Sequence, residues 1–94
     1  MQLPHNPQPI EVASRDGSIV VSVTELGQPT GVQFGPEALQ LSGSELAGRI
    51  MTLYTLALTV SLAVLNTEHH SKTGNWLSWP TKADVDRLYN ELTF

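Results

Sequence analysis

The chain has 94 residues, of which 40% are apolar and 15% are charged, as is ordinary for one globular domain. Its formal net charge of −4, with five dispersed Lys and Arg residues, argues against a large phosphate-binding surface. The lack of cysteine excludes disulfides and thiolate chemistry, and the first ten residues do not resemble a signal peptide, so we expect a cytoplasmic protein.

The N-terminal residues predict a flexible arm that precedes a single domain. Residues 1–9 hold three prolines together with Gln, Asn and His, which favours an extended arm over a packed element. Strand and helix patterns then continue through residues 10–94 without an internal repeat. We therefore expect one α+β domain that covers residues 10–94.

Residues 10–35 predict a three-stranded antiparallel meander, because they combine β-branched residues with turn signals. Asp16-Gly17 marks the first turn, and the second turn follows Leu26. The middle strand alternates apolar and other residues, which gives the sheet one apolar face. We expect that face to pack on a helix.

A long helix is predicted for residues 43–72. Ser42 followed by Glu45 is a capping-box pattern that starts a helix, and Gly74 can take the left-handed conformation that ends one. The helix includes a run of 18 residues, 50–67, without a charge. This run spans about 27 Å, a little less than a bilayer core, and Thr, Ser and Asn interrupt it. We therefore expect a buried helix, with no membrane span.

Helical projection sorts this segment into three stripes. The first stripe is apolar and comprises Leu46, Ile50, Leu53, Ala57, Val60 and Val64. The second stripe is also apolar and comprises Met51, Tyr54, Leu58, Leu62 and Leu65. The third stripe is small or weakly polar and comprises Gly48, Thr52, Thr55, Thr59, Ala63 and Asn66.

Two apolar stripes need two partners, because a helix that is apolar nearly all round must be buried. The sheet can cover the first stripe. A second copy of the chain could cover the second stripe, which would then be a dimer interface. The alternative is that the C-terminal segment folds back over the second stripe within one chain.

A short C-terminal helix is predicted for residues 81–92, with Thr81 and Asp84 as its capping box. Before it, Trp76 and Trp79 flank a loop, where they either cover the helix end or present an exposed anchor for a partner. The predicted partner-binding residues are the apolar side chains of this loop and helix: Trp76, Leu77, Trp79, Leu88 and Tyr89.

The sequence contains no arrangement that indicates an enzyme. A nucleophile elbow, a phosphate loop and a dinucleotide fingerprint are all missing, so we expect neither catalytic residues nor a cofactor. His69 and His70 beside Glu68 are adjacent on a helix and lack a third ligand at metal-binding spacing. We interpret them as a solvated helix end and expect no metal site.

The order of elements resembles the YbaB/EbfC-like domains of actinobacteria. In those domains a strand and a glycine turn precede three short motifs and a long helix. Here the strand is Ile19 to Val23 and the turn contains Gly27. The motifs are T-G-V at Thr30-Gly31-Val32, A-L-x-L-S at Ala38 to Ser42 and E-L-A at Glu45-Leu46-Ala47. The resemblance implies an intertwined homodimer and a nucleoid-associated role in DNA binding. This chain departs from the family pattern because a proline-rich arm replaces the charged N-terminal helix.

The C-terminal segment, LSWPTKADVDRLYNELTF, resembles the end of ESX (type VII) secretion-associated proteins of the EspD and EspH type. This second resemblance implies a cytosolic accessory or chaperone for secreted partner proteins. Secreted ESX substrates carry W-x-G and Y-x-x-x-[DE] signals, whereas here Leu77-Ser78 follows Trp76 and Thr93 lies four residues after Tyr89. The sequence therefore favours a non-enzymatic dimeric helper for ESX substrates, with nucleoid-associated DNA binding as the alternative.

Overall fold

The computed structural model describes residues 9–94, so the predicted arm lies outside the described residues except for Pro9. A three-stranded sheet is followed by a short 3-10 turn, a long helix and a short helix. The strands are β1 Ile10–Ala13, β2 Ile19–Val23 and β3 Pro29–Phe34, and the helices are α1 Gly43–Thr73 and α2 Lys82–Glu91. The predicted α+β architecture is confirmed, with element bounds within a few residues of those expected.

The sheet is an antiparallel meander with the strand order β1-β2-β3. Val21 at the centre of β2 lies opposite Val12 of β1 and Val32 of β3. Glycines with positive φ lie in both connecting turns, Gly17 at 75° and Gly27 at 85°, a conformation that side chains with a Cβ rarely adopt. The turn chemistry of the sequence therefore determines where the strands reverse.

The β1–β2 turn is stabilised by Asp16. Its carboxylate accepts hydrogen bonds from the Ser18 backbone N–H at 2.9 Å and from the Ser14 hydroxyl at 2.7 Å. These bonds favour the charged form, the one from the Ser18 backbone most strongly, and lower the pKa of Asp16 from 3.8 to about 2. The buried Ser14 hydroxyl in turn accepts from the Ile19 N–H, which links the turn to the first residue of β2.

The core lies between one face of the sheet and α1. Ile19, Val21 and Val23 are at most 1% exposed, which confirms the predicted apolar face of β2. They pack with Leu53 and Ala57 of the first stripe, both fully buried. Burying side chains of this size contributes about 1.5–3 kcal/mol each, so these residues supply much of the stability of the fold.

Helix α1 is much longer than the sheet that it covers. Its 31 residues span about 46 Å at 1.5 Å per residue, whereas six residues of β3 span about 20 Å. The first stripe is therefore covered only in part: Leu53 is buried, but Val64, near its far end, is 45% exposed. The short strands end before the helix does, so the sheet covers only the part of the stripe that lies above it.

The ends of α1 lie where the sequence predicts, but only half of the predicted capping box forms, because the Glu45 carboxylate bonds Arg49 and not the Ser42 N–H. The Ser42 side chain accepts from the Glu45 N–H at 3.1 Å, and Gly74 adopts the left-handed conformation with its N–H donating to the His70 carbonyl. The Glu45 carboxylate pairs with Arg49 at 2.8 Å, one turn further along. The helix ends at Thr73, one residue after the predicted end.

Length and composition would also allow α1 to cross a bilayer. Its most apolar 18-residue window has a mean hydropathy of 1.6, and one third of that window is buried within the chain. The core helix of a soluble protein meets the same criteria. Two polar residues of α1, Ser61 and Asn66, are fully buried and bond to other parts of the same chain.

Helix α2 runs antiparallel to α1 and packs along it. Its first residue, Lys82, lies beside Thr67, whereas Leu88 near its end lies beside Thr52 and Leu56. The Asp84 carboxylate accepts from the Thr81 N–H at 2.9 Å, as expected for the predicted capping box.

The C-terminal end of α2 is held by the β1–β2 turn. The Arg15 guanidinium donates to the carbonyls of Tyr89 and Leu92, and the Arg15 backbone N–H donates to the Phe94 carbonyl at 2.8 Å. A cation at a helix C-terminus is favoured by the helix dipole. The Arg49 guanidinium lies 4.9 Å from the centre of the Phe94 ring, which gives this segment a second anchor.

The C-terminal segment folds back onto α1, but over a different face from the one considered in the alternative above. It contacts Leu56, which is 3% exposed and belongs to none of the three stripes, and the third stripe at Ala63 and Asn66. The second stripe keeps Met51 66% exposed and Leu58 44% exposed. The C-terminal segment therefore does not cover the second stripe within one chain.

Candidate functional site

The second stripe of α1 is the first candidate site. Met51 and Leu58 are exposed, and Tyr54, Leu62 and Leu65 are half-buried. Exposed apolar side chains are common singly, but a contiguous apolar strip on a helix is typical of an interface with another protein. The structure leaves this predicted dimer interface available.

The second stripe lies on the side of α1 that faces β3. The Tyr54 hydroxyl donates to the Gly31 carbonyl of β3 at 3.1 Å, which gives the phenol the polar partner that it needs. The turn between β2 and β3 approaches α1 so closely that a Cβ at Gly27 would lie 2.6 Å from Leu58 Cδ1. The Ser61 hydroxyl donates to the Glu25 carbonyl at 2.9 Å and fixes the same turn. Helix and turn thus hold the stripe in a defined position.

Strand β3 extends this apolar surface. Phe34 lies opposite Ile19 and Val32 lies opposite Val21, so both side chains are on the α1 side of the sheet. Because α1 packs on β1 and β2, Phe34 remains 45% exposed and Val32 is half-buried. The second stripe and the α1 side of β3 therefore form one surface.

Threonines on the exposed side of α1 are less polar than their sequence suggests. Thr52, Thr55 and Thr59 each donate their hydroxyl to the backbone carbonyl four residues earlier, at 2.9–3.0 Å. A hydroxyl satisfied in this way does not need a partner from outside the helix. The methyl groups of these residues can therefore join an apolar interface beside the second stripe.

The loop with Trp76 and Trp79 is the second candidate site, and the fully buried Asn66 holds it in place. The Asn66 side-chain oxygen accepts from the Leu77 N–H at 2.7 Å. Its amide nitrogen lies 3.1–3.3 Å from the carbonyl oxygens of Leu77, Trp79 and Pro80. One amide side chain thus replaces the hydrogen bonds that the loop backbone would otherwise make with water.

Both tryptophans remain accessible in this loop. Trp76 stacks on His70, with ring centres 4.0 Å apart and an angle of 11° between the rings. Trp76 is nevertheless 54% exposed and Trp79 is 45% exposed. A held backbone with exposed indoles is the arrangement that suits a protein-binding anchor, because little side-chain freedom is lost on binding.

The other predicted partner-binding residues do not form a single cluster with the tryptophans. Leu77 is half-buried in the loop. Leu88 packs against the core, and Tyr89, which is 37% exposed, lies roughly 10 Å along α2 from its first residue. Burial raises the pKa of the Tyr89 hydroxyl. The structure therefore places these residues at two ends of α2.

A shallow apolar groove between α1 and α2 was not expected from the sequence. It has a volume of about 330 Å³ and is lined mainly by Val60, Ala63, Val64 and Val85, with Glu68 and Lys82 at its edge. The spacing of Val60 and Val64 assigned them to the face that packs on the sheet. The signal that could have located the groove is the helical repeat that begins at Val85.

Basic side chains are largely occupied by contacts within the chain. Arg49, Lys82 and Arg87 pair with carboxylates one turn away on their own helices, and Arg15 bonds to carbonyls. Across residues 9–94, His, Asp and Glu side chains form no group of three that could hold a metal ion. Comparisons with family models, with curated proteins and with solved structures find no match to this chain.

Proposed function

We propose that this protein is a non-enzymatic, homodimeric binding module that acts as a cytosolic accessory or chaperone for type VII (ESX) secretion substrates. The observation that carries the proposal is the apolar surface that remains after the chain has folded, above all Met51 at 66% exposed. Such surfaces serve protein interfaces. The secretion role derives from the resemblance of residues 77–94 to EspD- and EspH-type proteins.

The proposal assigns a different binding role to each of two surfaces. The second stripe binds a second copy of the chain, because a symmetric dimer lets the same apolar strip cover itself. The loop with Trp76 and Trp79 stays on the outside of the dimer and binds the secreted partner. The net charge of −4 and the intramolecular pairing of the basic side chains favour a protein over DNA as that partner.

The dimer is tested by replacing Met51 with glutamate. We expect the parent chain to have a mass near twice 10.2 kDa by light scattering, and Met51→Glu to shift the mass toward one copy, because each interface would bury two unpaired carboxylates. Leu39→Glu is the matched control, since Leu39 is 69% exposed and lies outside the second stripe. A parent chain that stays monomeric at all concentrations would contradict the dimer.

Partner binding is tested by calorimetric titration with a helical ESX substrate protein. We expect Trp79→Ala to weaken binding roughly 30-fold, as for an indole that anchors an interface at about 2 kcal/mol. Leu39→Ala, which removes an apolar side chain that is more exposed than Trp79 and lies elsewhere, should leave the affinity unchanged. Equal affinities for the parent chain and Trp79→Ala would show that the loop is not the anchor.

Duplex DNA serves as the contrasting ligand in the same experiment. A protein that neutralises phosphates with Lys and Arg binds with a steep dependence on salt. Salt-dependent binding to DNA without binding to the helical substrate would replace the proposed function by the nucleoid-associated alternative.

A further inference from the structure

The two edge strands of the sheet, β1 and β3, differ in their charge and in whether another part of the chain covers them. Beside β1, the Arg15 backbone N–H is bonded to the Phe94 carbonyl, and Glu11 places a charge in the strand. Within residues 9–94, no strand pairs with the outer edge of β3, and its sequence PTGVQF contains no charge. Exposed edges usually carry a charge, a proline, a bulge or a cover, because their free backbone groups can pair with another strand. In β3 the proline and the register irregularity both lie at the N-terminal end, at Pro29 and between the pairs Ser22–Gly31 and Val23–Pro29, so that residues 31–34 remain regular.

The backbone groups that β3 offers can be identified from its pairing with β2. The Gly35 N–H donates to the Ser18 carbonyl, so these two residues form a hydrogen-bonded pair. Such pairs alternate along an antiparallel ladder, which makes Val20–Gln33 and Ser22–Gly31 the next ones. The N–H and C=O groups of Val32 and Phe34 therefore point away from β2.

We propose that the outer edge of β3 pairs with β3 of a second copy, antiparallel and centred on Val32, so that the dimer contains one continuous six-stranded sheet. In this register Val32 lies opposite the partner's Val32, within the regular part of the strand. Two β-branched side chains directly opposite each other are compatible with strand pairing. An uncharged strand can pair with itself without repulsion between like charges, although the chain as a whole carries −4.

This pairing is continuous with the surface already described. A twofold axis through the paired β3 strands places both α1 helices on the same side of the sheet. The second stripe faces β3 in each copy, as the Tyr54–Gly31 hydrogen bond shows, so the two stripes face the axis from opposite sides. Val32 and Phe34 of both copies lie between them on the same face. The inference rests on the homodimer of the proposed function and adds the element that joins the copies.

The test uses proline at positions whose N–H points away from β2. Val32→Pro removes an outward N–H of β3 without breaking the bonds to β2, so the strand pairing is lost while each copy stays folded. We expect a mass near 10.2 kDa at concentrations at which the parent chain is a dimer, with an unchanged circular dichroism spectrum. Ala13→Pro is the control on the β1 edge, where the same alternation points the N–H outward, and it should remain dimeric.

A cross-link provides a second measurement that does not depend on how well the proline variant folds. Residues directly opposite in a hydrogen-bonded pair have Cα atoms about 5.5 Å apart, within the range that a disulfide spans. Because the chain lacks cysteine, Val32→Cys introduces a single thiol, and mild oxidation should link two copies. Ala13→Cys should remain uncross-linked.

The outcomes separate this inference from the proposed dimer. A parent dimer that persists in Val32→Pro and yields no cross-link through Val32→Cys would overturn the strand pairing and leave the dimer in place. A parent chain that is monomeric would overturn both. Dissociation of Val32→Pro together with the Val32→Cys cross-link would establish β3 as the joining element.

Discussion

Replacing Asn66 with alanine is expected to lower the free energy of unfolding by about 3 kcal/mol, one of the two largest effects of any single change considered. Asn66 is fully buried, and its amide bonds the backbone of Leu77, Trp79 and Pro80. Alanine would leave the Leu77 N–H and several carbonyls without their partners at a part-buried site. Denaturant unfolding, followed by tryptophan fluorescence, measures the loss.

Asn90→Ala is the control for this change, because Asn90 is exposed on α2 and should tolerate alanine with little loss. Equal stabilities of the two variants would show that Asn66 does not hold the loop. The same variants also separate structure from function, since loss of the loop should weaken partner binding in Asn66→Ala but not in Asn90→Ala.

Asn66→Asp adds a dependence on pH. The introduced carboxylate keeps the acceptor for the Leu77 N–H but faces the three carbonyls without an N–H to donate. Burial and these carbonyls disfavour the charged form, so the folded-state pKa of the new group lies above its unfolded value. The part of the destabilisation that is due to the charge is therefore absent at low pH and grows as the pH rises above the unfolded pKa toward 7. A constant difference from the parent chain across that range would contradict this account.

Replacing Leu56 with alanine is expected to cost about 3 kcal/mol, the second of the two largest effects. Leu56 is 3% exposed and lies where α2 packs on α1, beside Leu88 and Leu92. Removing three carbon atoms there loses burial and leaves space that α2 must close or leave empty. Thermal unfolding of dilute protein measures this change in the free energy of unfolding for a single chain.

Leu39→Ala is the matched control, because Leu39 is 69% exposed in the short turn before α1 and should change the stability by less than about 0.5 kcal/mol. A similar small loss for Leu56→Ala would mean that α2 packs elsewhere. The comparison is informative because helical projection placed Leu56 in none of the three stripes, whereas the structure places it in the core.

Local signals predicted the elements of this fold well. The alternation of Ile19, Val21 and Val23 predicted the buried face of β2, and Ser42 and Gly74 predicted the ends of α1. These signals depend on residues a few positions apart, where backbone geometry and side-chain hydrogen bonds act locally. The second stripe of α1 was likewise visible in the sequence as apolar surface that one short chain would have difficulty burying, whereas for the two tryptophans the sequence left open whether they cover the helix end or stay exposed.

The roles of Asn66, Leu56 and Arg15 could not be read in the same way. Asn66 bonds residues 11 to 14 positions later, and Arg15 bonds carbonyls at Tyr89 and Leu92. The sequence does not indicate which distant backbone groups a polar side chain will contact in the folded protein. In the sequence, Asn66 was only one member of a small or weakly polar stripe, yet in the structure it holds the tryptophan loop.

By itself, the sequence determined the order of strands and helices, the buried face of the middle strand and the presence of more apolar surface than one sheet can cover. Tertiary structure decided which face of α1 each partner takes. A helix that is apolar nearly all round can satisfy burial in several orientations, since the hydrophobic effect has no direction. The directional contacts chose among them: Asn66 and Arg15 hold the C-terminal segment against the far side of α1, and Tyr54 turns the second stripe toward the open edge of β3.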